Sequence, residues 1–283
     1  MAADDPAASD DRATEAATQQ RIVHWNGVAA TYDAHRPAAP AILPSLLTQL
    51  AGTPRPALVV DLGSGTGLST LLWADVAQQV IGIEPNDEMR AQAERRAARE
   101  RPGAAQVRFS AGTAERTGLP DGCADIVTAS QAFHWMEPTA TLAEVARILR
   151  RGGVFAAYDH DWPPVITWEA DALFHSFMAH IFKIAATKEQ QVSPAGWEKS
   201  GHLARMRASD HFRQVKEIAL HNVEQGDADR FIGLARSMSS ILALGVITAE
   251  EAHLAEFEQA ARATLPATPI PWYISYHVRL GLK

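Results

Sequence analysis

At 283 residues, 47% apolar and 21% charged, the chain has the composition of a globular protein with room for one α/β domain plus an insertion, or two small domains. A formal charge of −7 argues against a nucleic-acid partner, which needs a basic face. The single Cys123 cannot close an internal disulfide and points to a cytoplasmic setting; no apolar run reaches the ~18–20 residues of a membrane span, and the opening residues lack the basic and apolar segments of a signal peptide.

Residues 1–14 are rich in Ala, Asp and Ser and read as a disordered tail. A helical pattern follows from Glu15 to Ala34, with Ile22, Val23, Trp25 and Val28 available for packing, and Pro37 stops it. A second helix is expected from Ala39 to Leu50. Ala57 to Val60 is an apolar run read as a buried strand. It ends at Asp61, then Gly63, Gly65 and Gly67 stand at alternate positions, and Leu68, Leu71, Leu72 and Trp73 begin a helix expected to run to about Val76. Strand, glycine turn and helix bring backbone N–H groups close to a ligand, where a Cβ would block the approach or the turn. A dinucleotide fingerprint places its third glycine where this chain has Leu68. Asp61, two residues before the first glycine, repels a pyrophosphate and suits a ligand carrying an amine or a sulfonium.

The run Asp61-Leu62-Gly63-Ser64-Gly65-Thr66-Gly67 after a strand resembles the first motif of class I S-adenosylmethionine (SAM) dependent methyltransferases. Tyr32, Arg36 and Pro37, spaced as Tyr-x-x-x-Arg-Pro, resemble the entry to the trans-aconitate methyltransferase-like branch. That likeness implies that Tyr32 and Arg36 lie near the methionine end of the cofactor; the alternative is a plain helix stop with an exposed arginine. The second strand, Gln79 to Ile83, ends at Glu84. A right-handed crossover brings both strand ends to one edge of the sheet, where a carboxylate accepts both hydroxyls of a ribose. Otherwise Glu84 is a surface cap of the next helix. Asn86 is the N-cap of that helix, and Met89 packs on an adenine face or in the core.

Gln106 to Phe109 forms a short third strand. In the family the following loop carries a small residue and an acid beside the adenine, which here implies Ala114 and Glu115, with Thr113 where the acid usually stands. Ala124 to Ser130 is the fourth strand. It runs into Gln131-Ala132-Phe133-His134-Trp135, which again resembles the trans-aconitate methyltransferase-like branch. Ligands on such sheets bind at the carboxyl ends of the strands, so Gln131 faces the cofactor. Pro138 opens a helix with the stripe Leu142, Val145, Ala146 and Leu149, ended by Gly152. Gly153 to Tyr158 is the fifth strand, and Leu149-Arg150-Arg151-Gly152-Gly153 is close to the family's Leu-x-Pro-Gly-Gly.

Asp159-His160-Asp161 is a loop at the ligand edge. Residues 167–209 read as helices anchored by Trp168, Leu173, Phe174, Phe177 and Phe182, forming a cap over the substrate. Phe212 to Val223 is strand six, and a helix through Phe231, Leu234 and Met238 follows. Thr248 and Glu251 make a capping box for a helix burying Leu254, Phe257 and Ala261. Ile270 to Leu282 alternates as a seventh strand, antiparallel to the sixth. The expected whole is an α/β fold. It has a Rossmann-like, seven-stranded, mostly parallel sheet with the last strand antiparallel, helices on both faces and a helical cap insertion. Residues 15–160 form the SAM-binding core with an N-terminal helical lid, 161–210 the cap, and 211–283 the completion of the sheet.

The resemblance implies SAM as cofactor and methyl transfer to a small-molecule acceptor, without nucleic acid or membrane as partner. A methyl sulfonium is already activated, so Asp61 and Glu84 read as binding groups. His134 is the first candidate for a general base and His160 the second; for His134 the alternative is packing beside Trp135. Three consecutive residues rarely converge on one ion, so Asp159-His160-Asp161 is not read as a metal site. Two other readings stay open. One is a SAM-binding enzyme that steers a cyclisation or rearrangement without transferring methyl. The other is a nicotinamide-dependent Rossmann oxidoreductase.

Overall fold

A computed structural model of the protein describes residues 22, 26–27, 35–101, 106–188, 196–238 and 247–283. The tail 1–14, nearly all of the helix expected over Glu15–Ala34, and Tyr32 lie outside the described residues.

Seven strands, β1 (Leu58–Leu62), β2 (Gln79–Ile83), β3 (Val107–Ser110), β4 (Ala124–Ser130), β5 (Leu149–His160), β6 (Gln214–Gly226) and β7 (Ile270–Leu282), form one sheet. Their order is β3-β2-β1-β4-β5-β7-β6. The first five run parallel; β7 is antiparallel to both β5 and β6, as its alternation predicts. The sheet reverses direction of growth between β1 and β4. In open α/β sheets this switch point is where a ligand crevice forms, at the carboxyl ends of the strands.

Both faces of the central strands are covered, which is why they read as apolar runs rather than alternations. On one face Val60, Leu62 and Val127 pack against Leu142, Val145 and Ile148 of the helix Pro138–Ile148. On the other, Val59, Val80 and Ile126 pack against Leu43, Leu47 and Trp73. The helix carrying Leu43 and Leu47 is α1 (Leu43–Leu50), later in starting than Ala39 because Pro40 and Pro44 confine its first turn. The next helix is α2 (Asp87–Glu100), which begins as expected at Asn86, whose side chain accepts from the Met89 N–H at 3.0 Å. The Pro138–Ile148 helix is α3.

Two further elements differ from expectation. The helix after the glycine loop is only a 3-10 turn, Thr70–Trp73. Its hydroxyls are engaged elsewhere: Ser69 bonds Tyr158, and Thr70 donates to Asp61 at 2.7 Å. Such side-chain bonds compete with a regular helix. Strand β5 starts at Leu149 rather than Gly153, through an irregularity in its pairing with β4. Arg150 holds that segment in place, its Nε donating to Asp125 at 2.5 Å and its Nη2 to the Ala51 carbonyl at 2.9 Å.

Strands β6 and β7 pair over their whole length, from Gln214 with Leu282 to Gly226 with Ile270. Strand β5 reaches only from Val154 to His160 along β7. The half of the hairpin carrying Ile270 to Ser275 therefore projects beyond the carboxyl edge of the parallel strands. There it meets α4 (Trp168–Thr187), α6 (Ala228–Met238) and α7 (Leu254–Thr264), in a second core built on Phe174, Phe177, Phe231, Phe257 and Trp272. The short α5 (His202–Ala208) precedes β6.

The buried stripe of α4 is Ala170, Phe174, Phe177, Met178, Ile181 and Ala185, a helical repeat. Trp168 and Phe182 lie off it and are 88% and 59% exposed, so neither is the anchor expected. The Thr248–Glu251 box closes in both directions, Thr248 N–H to Glu251 at 2.8 Å and Glu251 N–H to Thr248 at 3.2 Å. The α-helix itself waits until Leu254, because His253 takes a left-handed φ of 52°.

A Cβ at Gly226 would run into the Trp272 indole, which is fully buried. Gly226→Ala is expected to cost about 1–3 kcal/mol of stability through overpacking, read from urea midpoints; an unchanged midpoint would mean the hairpin yields there without cost.

Candidate functional site

Strand β1 delivers the glycine loop to the switch point. Gly63 and Gly65 have φ of 62° and 54°, which only glycine adopts without strain. A Cβ on Gly63 would stand 2.8 Å from Ala132 Cβ and 2.9 Å from Met136 Cε, whereas one on Gly65 would meet nothing within 4 Å. Gly63 thus keeps the loop tight against the turn after β4, and Gly65 presents bare backbone to open space. Gly67 has a third reason: its Cβ would press on the Phe109 ring at 3.0 Å and Ala93 at 3.2 Å.

Glu84 stands one residue past β2. One carboxylate oxygen accepts the Gly65 N–H at 2.9 Å and the other accepts the Asn86 N–H at 2.9 Å. Each oxygen keeps a lone-pair direction beyond the one used. Burial pushes the Glu84 carboxyl up, and the two N–H bonds and Arg90 pull against it. Glu84 therefore both ties the loop to β2 and caps the entry to α2.

Asp61 differs from the expectation of a ligand-facing acid. It is fully buried, with Thr70 and Thr128 each donating to one of its oxygens at 2.7 Å. Burial pushes its carboxyl to about 6 against those two bonds. Its place is beneath the loop, bracing β1 against β4 and the 3-10 turn. Sequence could not separate these roles, because Thr70 and Thr128 are far apart along the chain.

A cleft opens between the loops after β1, β2, β3 and β4. Of the residues expected to bind cofactor it brings together Gly63, Gly65, Glu84, Met89, Thr113, Ala114, Glu115 and Gln131. Trp135 and Met136, which sequence reading left without a site role, add to its apolar wall with Met89 and Ala114; their only signal was their position just past β4. Asp61 and Gly67 do not line it, and Tyr32 lies outside the described residues. A second, smaller cavity has Arg36, His160 and Tyr276 among its lining residues. It shares Gly63, Gly65, Ser130 and Gln131 with the first. Arg36 donates to the Ser237 carbonyl at 3.0 Å and lies 5.0 Å over the Trp162 ring. Gln131 sits at the junction with φ of 51°, an uncommon backbone for a non-glycine residue that concentrates at functional sites.

The two histidines separate. His160 is buried in the second cavity, with its ring 4.0 Å from Trp162 and 5.3 Å from Tyr276. Burial drives its imidazole down to about 3. His134, the first candidate by sequence, lines neither cavity. Its Nδ1 is 3.5 Å from Asp159, an ion-pair separation rather than a hydrogen bond, and burial lowers its pKa while Asp159 opposes this. Asp159 is itself buried and also faces Arg279 at 2.8 Å, Lys199 at 3.3 Å and His202 at 3.9 Å. Successive residues of a strand face opposite ways, so His160 turns away from Asp159; Asp161, past the end of β5, meets His277 at 3.3 Å.

These environments set a pH dependence. The imidazoles of His160 and His202 are held at about 3 and about 4, below their unfolded value. Below about 6.5 the unfolded chain takes up protons that the folded one refuses, so stability falls on acidification. Asp61, at about 6 when folded, takes up its proton in the folded state first and offsets part of the loss. At about 1.4 kcal/mol per pKa unit, these three groups together contribute a loss of about 2 kcal/mol from pH 7 to pH 5. Urea titrations at the two pH values check this, and greater stability at pH 5 contradicts it.

Residues 60–157 match the family model Methyltransf_11, described as a methyltransferase domain. Among solved structures, a protein from Anaeromyxobacter dehalogenans assigned as a type II methyltransferase superposes with a TM-score of 0.65 at 25% identity, over 88% of this chain and 98% of that one. The Bacillus subtilis uncharacterized methyltransferase YcgJ is 32% identical over 127 residues, 44% of this chain and 47% of that protein. The match thus spans about half or less of the length of such curated relatives. The [4+2]-cyclase SpnF shares the fold, with a TM-score of 0.51 at 21% identity. No helix among the described residues is long and apolar enough to cross a membrane. The Glu84 carboxylate, the open backbone at Gly65 and the apolar walls suit a ribose and a flat base. Residues 60–157 thus match a methyltransferase domain within a Rossmann-like, seven-stranded fold, and the cofactor this match implies is S-adenosylmethionine.

Proposed function

We propose that the protein transfers the methyl group of SAM to a small molecule held under the helical cap. The observation that carries this is the meeting of two cavities at Gly63, Gly65, Ser130 and Gln131. One has a buried carboxylate and apolar walls. The other has a buried imidazole, a guanidinium and a tyrosine. The motifs Tyr32-to-Pro37 and Gln131-to-Trp135 support a finer placement in the trans-aconitate methyltransferase-like branch.

Glu84 is the group to accept both ribose hydroxyls, on the lone pairs its two backbone partners leave. Met89 and Ala114 offer apolar faces to the base, with Thr113 and Glu115 at its polar edge. When bound, SAM supplies a methyl already activated on a sulfonium, so the protein's work is alignment and exclusion of water. The cap helices and the projecting β6–β7 hairpin close the edge above. Cap function thus belongs to two chain segments, α4 and the α6–α7 pair, rather than to 161–210 alone. His160, rather than His134, faces the acceptor side. Burial holds its imidazole at about 3, too weak a base to take the proton of a hydroxyl or amine at neutral pH, so its role is to accept a hydrogen bond from the acceptor and align it.

His160→Ala is expected to leave SAM affinity within about twofold and to lower turnover by about 10²-fold, measured by steady-state kinetics once an acceptor is found; undiminished turnover removes His160 from the chemistry. The function itself is tested with methyl-labelled SAM and a panel of small acids, phenols and amines. Label in the acceptor, with one S-adenosylhomocysteine (SAH) formed per product, supports methyl transfer. An acceptor rearranged with SAM unconsumed supports the cyclase-like reading that SpnF's fold admits, and binding of NADH in place of SAM contradicts both.

A further inference from the structure

Lys199 comes from the segment before α5, far in sequence from the glycine loop, yet its ammonium donates to Gln131 Oε1 at 2.8 Å. Asp159, buried and 3.3 Å away, holds that ammonium in place. The same segment is fastened to the turn after β4 by the Trp197 N–H, which donates to the His134 carbonyl at 2.7 Å. An ammonium is a donor only, so its contact fixes which end of the Gln131 amide is oxygen. The other end, Nε2, is buried and has no hydrogen-bond partner among the described residues. A buried amide N–H without a partner is costly, and Gln131 lines both cavities.

We propose that Lys199 is a positioning residue: pinned by Asp159, it sets the Gln131 amide so that Nε2 donates to an acceptor oxygen of the bound ligand. This rests on the proposed function for the identity of that ligand. The oxygen belongs to the amino-acid carboxylate of the cofactor or to its ribose. Both present a lone pair to an N–H donor, and Gln131 stands where the two cavities join.

The test is a double-mutant cycle read by calorimetry with two probes, SAH and 5′-methylthioadenosine, which lacks the amino-acid end. Lys199→Met and Gln131→Ala are each expected to weaken SAH by about tenfold. Together they weaken it no more than either alone, because Lys199 acts through Gln131. Lys199→Arg, which keeps a cation against Asp159 and a donor toward Gln131, restores affinity to within about threefold. A merely structural role would lower melting temperature without that non-additivity. If methylthioadenosine keeps its affinity in Lys199→Met, the oxygen is the carboxylate; if it weakens in parallel, the oxygen is on the ribose. Should Lys199→Met not fold, Lys199→Gln carries the same cycle. Wild-type SAH affinity in Lys199→Met, or an equal loss from it in the Gln131→Ala background, overturns the inference. A wild type that binds neither probe sinks the proposed function itself, and this inference with it.

Discussion

Glu84→Ala is expected to weaken SAH binding by about 5- to 150-fold, the range that follows from losing charge-assisted hydrogen bonds of about 1–3 kcal/mol. Two losses add here. The ribose hydroxyls lose their acceptor, and the Gly65 and Asn86 N–H groups lose theirs, so the loop and the start of α2 are no longer tied together. Glu84→Gln separates the parts: its amide keeps one oxygen as acceptor but turns the other position into a donor, leaving one N–H facing another. Both variants are read by calorimetry. Unaltered affinity in both would place the ribose away from β2.

Gly63→Ala is expected to lower SAH affinity by at least about 100-fold, and thermal stability with it. Two costs coincide at this position. The new methyl stands 2.8 Å from Ala132 Cβ, on a backbone that cannot swing aside, and 2.9 Å from Met136 Cε. The φ of 62° also suits glycine and strains other residues, by roughly 1 kcal/mol. Gly52 provides the control, with φ of 63° and nothing within 4 Å of an added Cβ. Gly52→Ala should show the backbone cost alone, about 1 kcal/mol of stability, with SAH affinity intact. If Gly63→Ala behaves like Gly52→Ala, the loop is not the tight wall of the cleft described here.

What the sequence revealed depended on range. The strand, glycine loop, Glu84 and the Asn86 cap are written within about thirty residues, and their geometry follows from local rules of turns, caps and crossovers. The alternation of Ile270 to Leu282 likewise announced β7. Long-range relations stayed hidden. Asp61 is a ligand-facing acid by its position in a motif, yet Thr70 and Thr128 take both its oxygens. Nothing local in the sequence links Asp159 to Lys199 and Arg279, and only the fold gathers them. Trp168 and Phe182 look like anchors by type, but the stripe of α4 leaves them outside. His134 drew attention by its motif, while His160, in a loop reading, proved to be the imidazole inside a cavity. In each case the deciding fact was a partner more distant than any periodicity records.

A crystal structure with SAH bound is the most direct measurement of the central claim. Ribose hydroxyls within hydrogen-bond distance of the Glu84 carboxylate, and the base between Met89 and Ala114, are the result this account predicts. SAH seated elsewhere, with Glu84 still bound only to Gly65 and Asn86, would contradict it.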